Sequence, residues 1–191
     1  MSDKTLIEAL KRGDEDAFRT LVEGHEKMVI NTCYGFTHKY DEAEDLAQEV
    51  FIQVFKSVHT FREDAKISTW LYRIAVNKCL NHIRSNKRRS IIDKFGDLLF
   101  SESEFEPQSS IQNQPDKILE NKENAERLHK AIAQLPENQQ IAFTLSKFKG
   151  LPNKQIADVM KTSLSSVEAL MNRAKKNMQK NLISYLQNNL Y

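Results

Sequence analysis

One predicted helix carries a row of polar side chains with the composition of a nucleic-acid-binding surface. Segment 68–89 lacks Gly and Pro, and at about 100° per residue it separates into an apolar face and a polar face. The polar face and the basic cluster that ends it contain Trp70, Arg73, Asn77, Asn81, Arg84, Lys87, Arg88 and Arg89. Because aromatic rings stack on unpaired bases, Asn binds base edges and Arg binds phosphates, this row predicts a nucleic-acid contact. The alternative is a surface helix with a half-buried Trp.

A second group of polar residues follows a helix-turn-helix pattern. A short helix is predicted at 153–160, a turn at 161–164 and a longer basic helix at 165–182. Asn172 could address adenine, and Arg173 could address guanine or a phosphate. The residues predicted to face DNA are Ser165, Ser166, Glu168, Ala169, Asn172, Arg173 and Lys176.

Some side chains at predicted helix starts have a structural role that competes with a binding role. Ser68 and Thr69 are good N-cap types for the first helix, and Asn153 is one for the short helix. Ser165 and Glu168 have the spacing of a capping box. Glu168 could also accept a hydrogen bond from a cytosine amino group, and we expect capping to be at least part of its role.

Acidic and amide side chains frame one isoleucine on the outer face of the helix predicted at 41–58. This apolar centre with a polar rim has the form of a small protein-binding patch, made of Asp45, Gln48, Glu49 and Ile52. The carboxylates, together with Glu42, could instead be imagined as metal ligands. Since no His and no second carboxylate helix accompany them, we expect neither a metal site nor catalytic residues.

Charge and composition divide the chain into two basic modules. The 191 residues include only 5 Gly and 4 Pro, and patterned strands are hard to find, so we expect an all-α protein with two helical domains. The net charge of +2 separates into −5, +6, −6 and +7, for residues 1–60, 61–89, 90–126 and 127–191. Such asymmetry favours nucleic acid as the partner of the basic parts.

The segment between the modules has the composition of a flexible acidic linker. Residues 90–117 are rich in Ser, Gln and Glu and contain two Pro, so they bury little core and separate domains 1–89 and 118–191. A short docked helix could form at its start. Cys33 and Cys79 have no metal-site spacing, so we expect packed thiols and no cofactor. Without a signal peptide or a long apolar run, we expect a cytoplasmic protein with no membrane insertion.

The sequence resembles a known family in two stretches. DEAEDLAQEVFIQVFKSV, followed by STWLYRIAVNKCLNHIRSNKRR, resembles the second conserved region of bacterial RNA polymerase sigma factors. LPENQQIAFTLSKFKGLPNKQIADVMKTSLSSVEALMNRAKKNMQK resembles their fourth region. With these two regions and a short linker, the chain is similar to sigma factors of the extracytoplasmic-function type.

The resemblance implies a role for each group of residues. The patch around Ile52 would dock on core RNA polymerase. Segment 61–89 would recognise and help to melt the promoter −10 element, with Phe61 among its DNA-binding residues. The last helix would read the −35 element as duplex. Exposed DNA-binding faces on a flexible tether would also permit an anti-sigma factor to sequester both modules.

Two other classes of function remain to be compared with a sigma factor. A helix-turn-helix regulator that acts without polymerase would need a dimer interface or ligand pocket in residues 1–89, and it leaves the Trp/Asn/Arg row unexplained. An enzyme using the carboxylates of 42–49 lacks a nucleophile, a His and a Gly-rich phosphate loop.

Overall fold

The structure, a computed structural model, consists of helices joined by short turns and loops in the residues that it describes, with no strand among them. These are 3–61, 65–99 and 127–188, with side chains described except at 3, 89–99 and 184–188. The helices are α1 (Asp3–Lys11), α2 (Glu15–Thr37), α3 (Tyr40–Ser57), a 3₁₀ turn (Val58–Thr60), α4 (Ile67–Leu99), α5 (127–133), α6 (Glu137–Lys147), α7 (Asn153–Met160) and α8 (Leu164–Asn188). The predicted all-α fold with two helical domains is confirmed.

Helices α2, α3 and α4 form the N-terminal module by packing against one another. Their apolar faces meet in a fully buried centre that contains Leu21, Val29, Cys33, Val50, Val54, Leu71 and Cys79. Helix α1 closes one side, because its predicted apolar face is buried. The two thiols are packed in this core, as predicted. A hydrogen bond with the Cys33 thiol and burial raise the pKa of Cys79 well above its usual value.

The C-terminal module packs α6 and α7 against α8 and has Leu145, Ile156 and Val167 fully buried. Helix α6 ends at Lys147 with Phe148 as its C-cap, so the prediction of Gly150 as the C-cap is wrong by two residues. Gly150 has φ +64°, the left-handed conformation that glycine adopts without strain, in the turn that follows. The amide of the next residue, Leu151, donates to the carbonyl of Leu145 at 3.1 Å.

The predicted N-cap residues of three helices are wrong by one or two residues, although α7 has the predicted bounds 153–160. Helix α4 begins at Ile67, so its two predicted caps lie in the first turn, and α7 follows Pro152 as its N-cap. Helix α8 begins at Leu164, and Ser163 Oγ accepts a hydrogen bond from the amide of Ser166 at 3.2 Å. An N-cap needs non-helical backbone, which Ser165 no longer has, so the predicted capping box does not form.

The two modules pack together, an arrangement that the sequence left open. Helix α4 contacts α7, and α2 contacts α6. Buried side chains from both modules form one continuous apolar cluster. Helix α4 also continues through residues 90–99, where the linker was expected to begin, whereas 100–117 lie outside the described residues.

Candidate nucleic-acid and protein interfaces

The polar row of α4 lies on one side of the helix, as its spacing predicts. We call it the Trp70 face; its described members are Trp70, Arg73, Asn77, Asn81, Arg84, Lys87 and Arg88. Asn77 and all members that follow it are exposed, and the first two are half-buried. Arg89 belongs to the same helix, but its side chain lies outside the described set. The opposite face is buried in the N-terminal core.

An aromatic pair forms the start of the Trp70 face. Phe61 is only 5 % exposed, and its ring centroid lies 4.9 Å from that of Trp70 at an interplanar angle of 45°. Such tilted pairs are favourable beyond the area that they bury. Because Phe61 is buried and Trp70 is half-buried, the indole is the ring of this pair that is partly accessible.

Two arginines of the Trp70 face, Arg73 and Arg84, donate hydrogen bonds to oxygen atoms of the C-terminal module. Arg84 donates to the Glu137 carboxylate, from Nη2 at 2.7 Å and from Nε at 3.2 Å. This hydrogen bond, together with the carboxylate charge, raises the pKa of Arg84. Arg73 donates to the backbone carbonyl of Asp158, from Nη2 at 2.7 Å and from Nε at 3.2 Å.

The predicted protein-binding patch on α3 is on the surface. Asp45, Gln48 and Glu49 are exposed, and Ile52 is 54 % exposed, while the opposite face of α3 is buried. Phe55, one helical turn further on, is 55 % exposed, and its ring edge packs on Phe18 at 5.3 Å between centroids. We call the five residues Asp45, Gln48, Glu49, Ile52 and Phe55 the Ile52 face.

Phe55 was missed in the sequence, although a signal for it was present. It follows Ile52 by three positions and so lies on the same side of the helix. Two adjacent exposed apolar side chains make a larger patch than one, which strengthens the expectation of a protein partner.

One ion pair joins the acidic side of α3 to α4, and a second lies at the start of α3 itself. Lys78 of α4 binds Glu49 at 3.0 Å, and Lys39 binds Glu42 at 2.8 Å. The Lys39 hydrogen bond lowers the pKa of Glu42, and a hydrogen bond from His82 acts in the same direction. Within the part of the chain that the structure describes, no group of three His, Cys, Asp or Glu residues could hold a metal ion.

The predicted outer face of α8 is accessible. Ser165, Glu168, Asn172, Arg173 and Lys176 are exposed, and Ser166 and Ala169 are half-buried. We call these seven residues the Arg173 face. Val167, Met171 and Ala174, on the other side, are buried against the module core. The residues nearest the start of α8 thus present polar groups on a rigid helix, the placement that major-groove reading requires.

Three surfaces therefore emerge from the predicted residues. The Trp70 face joins aromatic, amide and guanidinium groups, the Arg173 face begins a helix-turn-helix recognition helix, and the Ile52 face is apolar with a polar rim. In the described ranges, none of the helices is long and apolar enough to cross a membrane.

The family comparisons agree with this division. The sigma-70 region 2 model matches residues 21–89, which include the Ile52 and Trp70 faces. The sigma-70 region 4 model matches residues 125–178, which include the Arg173 face. Together these matches span more than half of the chain.

Individual relatives match nearly the whole chain. The chain is 34 % identical over 183 residues to the RNA polymerase sigma-H factor of Pseudomonas aeruginosa, and the match covers 94 % of this chain and 93 % of that one. It is 30 % identical over 178 residues to the ECF RNA polymerase sigma-E factor of Escherichia coli K12, covering 92 % of each.

Solved structures share the fold. CnrH in complex with the cytosolic domain of CnrY matches with a TM-score of 0.63 at 18 % identity, covering 95 % of this chain and 97 % of that one. The sigma factor RpoE in complex with the anti-sigma factor NepR from Bartonella quintana matches with a TM-score of 0.57 at 19 % identity, covering 86 % and 96 %. Family models and relatives together lead to one conclusion: the chain belongs to the extracytoplasmic-function sigma factors, transcription regulators that bind core RNA polymerase and direct promoter recognition in initiation.

Proposed function

We propose that this sigma factor divides promoter recognition and polymerase binding among the three surfaces described above. Residues 1–89 form the module for polymerase and the −10 element, 90–117 connect the modules, and 118–191 form the −35 module. The observation that carries this division is that the three residue sets occupy separate faces, each opposite a buried one.

The Trp70 face is the part that we assign to the −10 element. Trp70 stacks on an unpaired base and so helps to hold the promoter melted, with Phe61 supporting its ring. Asn77 and Asn81 present amide groups to base edges. The basic residues bind the strand's phosphates through Arg73, Arg84, Lys87, Arg88 and Arg89.

The Arg173 face is the part that we assign to the duplex −35 element. Asn172 and Arg173 project from exposed positions on α8, where bidentate contacts to adenine and guanine can form. Lys176 serves the phosphate backbone. Because Ser163 caps the helix, Glu168 is not needed for the capping box and is available to accept a hydrogen bond from cytosine.

The Ile52 face is the part that we assign to core RNA polymerase. Its two exposed apolar side chains would be covered by the polymerase, and its acidic rim would fix the orientation. The chain itself performs no catalysis and needs no cofactor, and it works in the cytoplasm with the polymerase. A structural neighbour was solved with an anti-sigma factor, and we propose that this chain has such a partner too.

Charge reversal on the Ile52 face tests the assignment. We expect Asp45→Arg to weaken binding to core RNA polymerase about tenfold or more, because it places a cation where the rim is acidic. Glu26→Arg is the matched control, since Glu26 is also exposed but lies on α2. Binding is measured by fluorescence titration with purified core enzyme. Equal affinities for both variants and the wild type would remove α3 from the polymerase interface.

A further inference from the structure

An exposed leucine begins the helix that we assign to the −35 element. Leu164 is the first residue of α8, and it is 47 % exposed. In the described part of the chain, it is not among the apolar residues that form or pack against the buried clusters. Packing in the core therefore does not explain why an apolar side chain lies at this position.

Hydrogen bonds of the backbone fix the turn that precedes Leu164. Lys161 caps α7 in the left-handed conformation, with φ 53°, and its amide donates to the carbonyl of Asp158 at 3.3 Å. The amide of Thr162 donates to the carbonyl of Ala157 at 3.0 Å. Because these bonds set the direction in which the chain enters α8, the fold defines where the first side chain of that helix lies.

The serines around Leu164 bind one another and the helix backbone. Ser163 Oγ lies 3.0 Å from Ser165 Oγ and 2.8 Å from Ser166 Oγ, and it accepts the amide hydrogen of Ser166. These hydroxyl groups are thereby engaged in holding the first turn of α8. Leu164 supplies the apolar group that this turn exposes.

Helical spacing places Leu164 beside the Arg173 face. Glu168 and Asn172 follow it by four and eight positions, and residues at these intervals lie along one side of a helix. Both are exposed members of that face. Because the N-terminal residues of a recognition helix contact base edges in the major groove, Leu164 lies at the end of α8 that meets the bases.

The major groove offers an apolar side chain one chemical partner. Among the groups that the four base pairs present there, the C5 methyl of thymine is apolar, and the others are hydrogen-bond donors or acceptors. A leucine side chain has neither a donor nor an acceptor, so it would desolvate those groups without pairing with them. Contact with a thymine methyl instead removes two apolar surfaces from water.

We propose that Leu164 is a specificity-determining residue, which selects thymine at one position of the −35 element by contact with the C5 methyl group. This inference rests on the proposed assignment of the Arg173 face to the −35 element. The leucine adds an apolar contact to the hydrogen bonds that we assign to Asn172 and Arg173. Its preference depends on the methyl group and not on base pairing.

Uracil provides the test, because it keeps the base pairing of thymine and lacks only the methyl group. Holoenzyme formed with purified core RNA polymerase first selects its −35 site from a promoter library that is randomised in this region. Each thymine of the selected site, on both strands, is then replaced singly by uracil in a duplex promoter fragment. Equilibrium competition at one fixed salt concentration measures the affinity of the holoenzyme for each fragment.

We expect one uracil replacement to weaken binding by the wild type about fourfold, which corresponds to one methyl group removed from an apolar contact. Leu164→Ala should weaken binding to the thymine site by a similar factor and lose nothing further with uracil, because both changes remove the same contact. Leu164→Asn keeps a branched side chain but replaces its methyl groups with an amide, and it should be equally insensitive to uracil.

Ile183→Ala is the matched control for the leucine variants. Ile183 is 55 % exposed on the same helix, about 28 Å from its start, so this variant should respond to uracil as the wild type does. The inference fails if no uracil replacement weakens binding by the wild type. It also fails if both Leu164 variants keep the full uracil effect.

Arg173→Ala, measured on the same fragments, separates failure of this inference from failure of the proposed function. If it weakens binding and relaxes base preference while the Leu164 variants behave as the wild type, α8 reads the −35 element without the leucine. If neither Arg173→Ala nor the Leu164 variants change affinity or base preference, α8 is not the reading helix, and the inference fails with that assignment.

Discussion

At the scale of single residues, Arg173 gives the most direct test of duplex reading. It is exposed on α8, and its neighbours on the buried side hold the helix in place. We expect Arg173→Ala to weaken binding of duplex −35 DNA and to relax specificity at one base pair, by about 1–3 kcal/mol. The measurement is a competition assay over all single-base variants of the −35 site. An unchanged affinity and base preference would exclude Arg173 from the interface.

The sequence predicted which residues are exposed more successfully than which residues pair. The Trp70, Ile52 and Arg173 faces follow from a spacing of 3.6 residues, because helical periodicity separates core from surface. The pair of Arg84 with Glu137 joins residues 53 positions apart across two modules. No local pattern encodes such a contact, and it could not be predicted.

At the scale of elements, two serines compete as the N-cap of α8. The capping-box motif points to Ser165, but Ser163 Oγ accepts the amide hydrogen of Ser166. We expect Ser163→Ala to destabilise this helix start by about 1 kcal/mol, which is about fivefold less protection of the Ser166 amide from hydrogen exchange. Ser165→Ala should cost much less. The reverse order would restore Ser165 as the cap.

The types and approximate positions of the helices could be predicted from the sequence, whereas the exact capping residues could not. Apolar periodicity defined α3 and α8 to within a few residues at their starts. The exact first residue depends on backbone angles, and two candidate serines two positions apart compete for it. The sequence offered only a short docked helix at the start of 90–117, and the polar linker composition that follows concealed that residues 90–99 continue α4.

At the scale of the whole molecule, the arrangement of the modules depends on contacts that composition does not reveal. Residues 1–89 are almost neutral, since −5 and +6 sum to +1, and residues 127–191 carry +7, so net charge alone does not decide how the modules are arranged. Buried side chains from both modules form one apolar cluster, which stabilises their packing. A charge introduced into this buried junction should therefore weaken the packing of the modules.

A histidine pair at the junction predicts that the packing of the two modules depends on pH. The ring of His38, the C-cap of α2, stacks on that of His129 on α5, with centroids 3.6 Å apart and an interplanar angle of 6°. Burial, and then the charge of His129, lower the pKa of His38 to about 4. In separated modules this pKa should return towards 6.5. The separated state therefore binds more protons, and the packing of the two modules should weaken as pH falls from about 6.5 towards 4.

Distances between fluorescent labels on the two modules, measured from pH 7.5 to 4, would report this opening, with circular dichroism confirming that the helices persist. His129→Phe keeps a stacked ring but removes one charge, so the pKa of His38 should lie closer to 6.5 and opening should respond less steeply to pH. His59→Phe, at an exposed histidine in the 3₁₀ turn, should leave the wild-type profile intact. If the His129 variant kept that profile as well, the histidine pair would not be the cause of the pH-dependent separation of the modules.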